Sequence, residues 1–110
     1  MNNENVLDFV AHWAKEMIAS GANIERVSIG VAHLFHRFGY KEISIDLLTT
    51  KVELSIKTQD GTYLDRHLAI PAARINLERI RRLNRLSYRI VNEDIDDKEY
   101  AGLLEEAANS

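Results

Sequence analysis

The side chains in this chain best able to do chemistry are its arginines. Arg74, Arg79, Arg81, Arg82, Arg85 and Arg89 crowd into the stretch Pro71 to Val91 against a single acid, Glu78. Guanidinium groups at that density suit oxyanions, whether a carboxylate, a phosphate or an anionic surface. Metal and nucleophilic chemistry find less support. The four histidines are His12, His33, His36 and His67, and only His33 and His36 share a helical face. No third or fourth ligand stands at a matching spacing. There is no cysteine, which excludes disulfides and thiolate chemistry. Ser28-Ile29-Gly30 lacks the leading glycine of a nucleophile elbow. Asp46, Asp60 and Asp65 are the carboxylates open to acid-base work, but a turn accounts for Asp60 and an outward strand face for the other two. The five glycines are scattered singly, so nothing resembles a phosphate-cradling loop. These residues imply no catalytic centre, cofactor or metal; a hydrolase is the weakest of the readings left open.

Charge narrows the partners. The net charge is -3, so attraction for an anion has to be local to the arginine stretch. Apart from Tyr88 no aromatic residue interleaves with the arginines, which argues against stacking on single-stranded nucleic acid. The acids Glu93, Asp94, Asp96, Asp97 and Glu99 follow closely and are expected to supply internal counter-charge. The first residues, MNNENVLDFV, lack the basic and uninterrupted apolar parts of a secretory leader, and no apolar run approaches the ~20 residues of a membrane span. With 110 residues, 45% of them hydrophobic, the expectation is one soluble cytoplasmic domain with a modest core.

The elements that must position these side chains follow from periodicity. Asn3 is placed to cap a first helix carrying Val6, Val10, Trp13 and Met17 on one face, stopped at Ser20-Gly21. Asn23 caps a second, with Ile24, Val27, Val31, Leu34, Phe35 and Phe38 in the same rhythm and Gly39 as its stop. So short a connection makes the pair an antiparallel hairpin, and Gly30 admits a close neighbour. The period then falls to two, with Ile43, Ile45 and Leu47 in one strand and Val52, Leu54 and Ile56 in the next. A two-residue turn at Asp60-Gly61 would set Ile56 across from Asp65. A three-residue turn at Gln59, Asp60 and Gly61 sets it across from Leu64 instead, with Val52 across from Leu68 and Gly61 at positive φ. That register puts Arg66 on the inward face opposite Leu54, where it needs an acid or carbonyls. Pro71 opens the long helix, whose stripe is Ala73, Leu77, Ile80, Leu83, Leu86 and Ile90, with Asn76 and Asn84 at its border. A last short helix from about Asp96 or Asp97 carries Tyr100, Leu103, Leu104 and Ala107. The fold class is therefore α+β in the order α-α-β-β-β-α-α.

Ser20-Gly21-Ala22 followed by Arg26-Val27, this order of elements, Arg74-Ile75-Asn76-Leu77, and then Leu83-Asn84-Arg85-Leu86-Ser87 together resemble the soluble N-terminal domain of the threonine/serine exporter family, from about Val10 to Leu104. That family is related to a two-part bacterial exporter of small dicarboxylates. Its members carry an acid after the Gly-Ala and another after the Arg-Val, where this chain has Asn23 and Ser28. The resemblance implies a non-enzymatic domain on the cytoplasmic side of a membrane exporter, contributing to assembly, gating or substrate access. Its implied partners are a transmembrane part of the same or a companion subunit, anionic lipid headgroups, a small amino acid or dicarboxylate, or a second copy, with no nucleic acid. Arg26, Arg66, Arg74, Asn76 and Asn84 are the candidate contacts for a small ligand or anion, as in a regulatory domain. Arg81, Arg82, Arg85 and Arg89 are the candidate face for a partner or membrane.

Overall fold

Nine residues of the first helix are buried, Val6, Leu7, Phe9, Val10, Ala11, Trp13, Ala14, Met17 and Ile18, and they occupy most of its circumference. A helix apolar on so many sides has to be enclosed by other elements. In the computed structural model, which describes residues 1–109, this helix α1 (Asn3–Ala19) is the hub. It is followed by α2 (Ile24–Arg37), β1 (Ile43–Leu47), β2 (Lys51–Lys57), β3 (Tyr63–Ala69), α3 (Leu77–Asn92) and, after a 3-10 turn at Asp97–Glu99, α4 (Tyr100–Ala108). The α+β order expected from periodicity is the one observed. Three layers result. The sheet, in order β1-β2-β3, lies against α1 and α2, and α3 and α4 cover the far side of α1.

The hairpin register follows the three-residue turn. Ile56 pairs with Leu64, Leu54 with Arg66 and Val52 with Leu68. Thr58 N donates to Thr62 O at 2.8 Å to close the loop, and Gly61 takes φ +88°. The Asp60 carboxylate accepts from the Thr58 hydroxyl and from Thr62 N, and those bonds hold its pKa below the ordinary aspartate value.

The structure corrects the start of the long helix. The notional first turns from Pro71 are an extended strap, and α3 begins at Leu77. Two forces decide this. The last carbonyls of α1 lack intrahelical donors, and the strap supplies them: Arg74 N donates to Ala19 O at 2.9 Å and Asn76 N to Ser20 O at 3.0 Å. Asn76 then caps α3, its side chain accepting from Arg79 N at 2.9 Å. Leu77, on the outward face of α3, is exposed and Ile80 half-buried, and only Leu83, Leu86 and Ile90 of the expected stripe reach the core. The helix α3 packs on α1, α2 and α4. Smaller shifts have similar causes. Asn2 rather than Asn3 caps α1, accepting from Asn5 N at 2.8 Å, and α4 begins at Tyr100 because the residues before it turn as a 3-10 segment.

The helical pair meets where Trp13, eight residues before Gly21, faces Gly30, nine residues after it, as an antiparallel hairpin requires. A Cβ at Gly30 would lie 2.5 Å from the Trp13 ring, and that ring is pinned by its own hydrogen bond from Nε1 to Leu83 O at 2.9 Å. Gly30→Ala should therefore destabilise. Overpacking of about 1–3 kcal/mol exceeds the ~0.5–1 kcal/mol that alanine returns in a helix. Gly102→Ala in α4, with nothing within 4 Å of the new methyl, should raise stability by ~0.5–1 kcal/mol. Urea titrations showing both substitutions moving the midpoint in one direction would contradict this packing.

Candidate functional site

Between α2 and α3 runs an open groove of about 670 Å³. Its floor is apolar, made by Met17 of α1 with Ala22, Ile80 and Val91. Arg26, Ile29, Gly30 and His33 form the α2 wall, and Arg81, Asn84, Ser87, Tyr88 and Asn92 the α3 wall. Both walls arise from the helical repeat, since residues three or four apart stack on one face. At the far end Arg37 Nε donates to Ile90 O at 3.2 Å and ties the two helices together.

The charged lining has one sign. Arg26 and Arg81 border the groove and no aspartate or glutamate does, while His33 adds an imidazole to the α2 wall. Arg81 is committed to Glu78, with Nε to Oε2 at 3.0 Å and Nη2 to Oε1 at 2.5 Å. Those bonds, Arg81 being the largest cause, hold the Glu78 pKa below its ordinary value and raise that of Arg81. The Arg26 side chain is exposed and has no protein partner among the described residues, and neither does that of His33. The backbone N–H of Arg26 is spent on the Asn23 cap at 3.1 Å. Ser87 Oγ donates to the backbone carbonyl of Asn84 at 2.8 Å and Asn92 Nδ2 to that of Tyr88 at 2.8 Å, and residues Asn84 and Tyr88 are themselves exposed.

Of the candidate ligand contacts the groove gathers Arg26 and Asn84, together with Arg81 from the candidate partner face. Arg66 lies elsewhere, between β3 and the start of α1. It pairs there with Glu4 at 3.1 Å and Asp8 at 3.8 Å, the acids its inward position required. Arg74 and Asn76 belong to the strap, and Asn76 serves as a cap. Arg82, Arg85 and Arg89 border a separate, shallower cleft of about 190 Å³ with Leu103, Glu106 and Ala107. Arg82 Nε donates to Ala107 O at 3.2 Å, a basic side chain on the last turn of α4, where carbonyls lack partners.

The acidic run neutralises the arginine face only at one end. Glu93 approaches Arg89 at 3.5 Å. Asp97 instead takes the N-terminal amine, and Asp96 caps Lys98 N at 3.0 Å. Their own turn uses these carboxylates first. A second hollow of about 640 Å³ near Tyr40, Lys57 and Asp60 is internally satisfied, with Tyr40 donating to Asn3, Lys57 near Glu42 at 3.6 Å, and Thr58 donating to Asp60. Among the described residues no group of three or more histidines and acids is placed to hold a metal.

Ile29, His33 and Tyr88 are site residues that periodicity did not single out as a group. One signal was available: Ile29 is a large apolar residue off the buried stripe of α2, and Tyr88 is the lone aromatic on the arginine side of α3.

Fold and groove together define a small α+β domain whose distinguishing surface is an interhelical, cation-lined trough. The chain belongs to the threonine/serine exporter family: the ThrE family, described as "Putative threonine/serine exporter", matches residues 8–110. No curated protein and no solved structure matches it.

A carboxylate whose pKa is lowered on folding contributes stability above its unfolded value and loses it as pH falls through the folded one. Glu78 should follow that sign, its carboxyl carbon titrating in NMR below the ordinary glutamate range. Arg81→Gln should move the titration back toward that range, with Arg82 at 3.4 Å still holding part of the shift. An unchanged curve in the variant would show that Arg81 is not the cause.

Proposed function

We propose that this chain is a non-enzymatic accessory domain of a threonine/serine exporter, set on the cytoplasmic side of the membrane and acting in assembly, gating or substrate access. Family membership supports the transporter setting. Among the described residues no helix is long and apolar enough to cross a membrane. The reading assigns the translocation path to a transmembrane part of the same chain or of a companion subunit. The observation that carries the accessory role is the groove itself: a preformed trough with an apolar floor and a one-signed rim, open to solvent along two helices. Such a surface suits contact better than turnover, which needs a convergent acid, base or nucleophile. The test is efflux of threonine and serine from preloaded cells expressing the exporter. Removing residues 1–110 should reduce efflux at least several-fold, and supplying them should restore it. Unchanged efflux would refute the reading.

A second reading is favoured by Arg26 and Asn84 sharing a groove whose volume lies in the range of small-molecule sites. On it the domain is a regulator that binds a small carboxylate. Threonine, serine or succinate at ~100 times the dissociation constant would stabilise the fold by about 2.7 kcal/mol. For a domain of this size that is roughly 10 °C in Tm. A melting curve unmoved by all three at millimolar concentration removes this alternative.

A further inference from the structure

Among the described residues seven large hydrophobic side chains are exposed; two of them line this groove and a third, Ile75, lies against the lining residue Gly21. Ile29 and Tyr88, 58% and 71% exposed, stand on opposite walls. Ile75, 82% exposed, lies against Gly21 at the groove's near end, its Cγ1 3.2 Å from where a Cβ would be. Leu77, 74% exposed, precedes Arg81, Asn84 and Tyr88 by four, seven and eleven residues and so shares their face of α3. Scattered exposed apolar residues need no explanation, but a contiguous patch with a polar rim marks a contact surface.

Its dimensions and chemistry narrow the occupant. The lining runs from Asn23 to His33 on α2 and from Ile80 to Asn92 on α3, which at 1.5 Å per residue is about 15–18 Å. A free amino acid would fill a fraction of that length and leave Ile29 and Tyr88 in water. Both walls are helices whose backbone groups are bonded internally, so no edge is offered to an added strand. A trough is concave, whereas a bilayer surface meets a convex or flat face. What remains is a third helix laid along α2 and α3, and the absence of any acid in the lining selects the charge it brings.

We propose that the groove between α2 and α3 receives an amphipathic helix of another protein, three to four turns long, whose apolar stripe covers Ile29, Ile80 and Tyr88 and whose flanking carboxylates meet Arg26, His33 and Asn84. The proposal rests on the accessory-domain reading and names the partner's chemistry.

The test uses two synthetic 16-residue helical peptides with one leucine stripe and either glutamate or lysine on its flanks. Binding is read by fluorescence anisotropy and by amide shifts in NMR spectra of the whole chain. The glutamate peptide should bind at least tenfold more tightly and shift the signals of Ile29, His33, Asn84 and Tyr88. Arg26→Glu should reverse the order of the two peptides. Arg26 is exposed and unpartnered, so the fold should tolerate the change. Tyr88→Ser, also at the surface, should weaken the glutamate peptide several-fold. Equal affinities, no binding, shifts centred on Arg85 and Leu103, displacement by free threonine or serine, or self-association of the chain through this face would each overturn the proposal. Efflux that depends on the chain while neither peptide binds would defeat this inference alone. Peptide binding with efflux unaffected would defeat the exporter reading instead.

Discussion

The indole of Trp13 holds three helices in register. It grows from α1, its ring fills the space that Gly30 leaves on α2, and its N–H donates to the carbonyl of Leu83 on α3. A buried indole N–H without an acceptor costs about 1–3 kcal/mol, so the rotation and height of α3 on α1 are tied to that bond. Once Leu83 O is fixed, the helical repeat dictates the rest of α3. Leu86 and Ile90 turn with Leu83 into the core, while Arg81, Asn84 and Tyr88 turn outward along the wall facing α2. The surface available for binding is thus set by one interior contact.

The same arrangement explains why α1, not α3, is enclosed on most sides. Its first turns answer the sheet, through Glu4 and Asp8 to Arg66. Its middle carries Trp13, and its last carbonyls accept the strap N–H groups of Arg74 and Asn76. Two consequences follow for the groove. Met17, one turn beyond Trp13, becomes part of its floor. The strap, having surrendered its N–H groups to α1, cannot wind into helix, so Ile75 stays at the surface beside the groove's end.

Most of this architecture was legible from pattern. The alternation of Val52, Leu54 and Ile56 against Leu64 and Leu68 admits only a three-residue turn, and the register matched it to the residue. Asn23, Gly21 and Gly39 did the capping and stopping their types suggest. What pattern missed were long-range competitions. Steps of three and four drew Leu77 into the stripe, although at 3.6 residues per turn it falls on the face of Arg81, Asn84 and Tyr88 and not on that of Leu83, and periodicity carries no information about the carbonyls of Ala19 and Ser20 that draw the strap away. The acids after Val91 were close in sequence to the arginines, yet Asp96 and Asp97 found partners in their own turn and at the N-terminus. The groove was half legible, because Arg26 and Asn84 could be named singly while their meeting depends on how α2 and α3 pack.

That failed neutralisation matters for what the surface can do. The arginines of α3 divide by the work already asked of them: Arg81 and Arg82 share Glu78, Arg82 also caps α4, and Arg89 leans on Glu93. The side chains of Arg79 and Arg85 on α3 and of Arg26 on α2 are left without a hydrogen bond or ion pair among the described residues. In a molecule of net charge -3 such isolated cations would mean little if charge acted at long range. It does not, because screening at physiological salt confines it to about 8 Å. Within that distance the Glu78 carboxylate offsets Arg81, which it holds by two hydrogen bonds, and Arg26 on the opposite wall is left as the trough's uncompensated cation. A negative protein can therefore present a local positive surface, and because the floor is apolar, the ligand that gains most is one that brings carboxylates and an apolar stripe together.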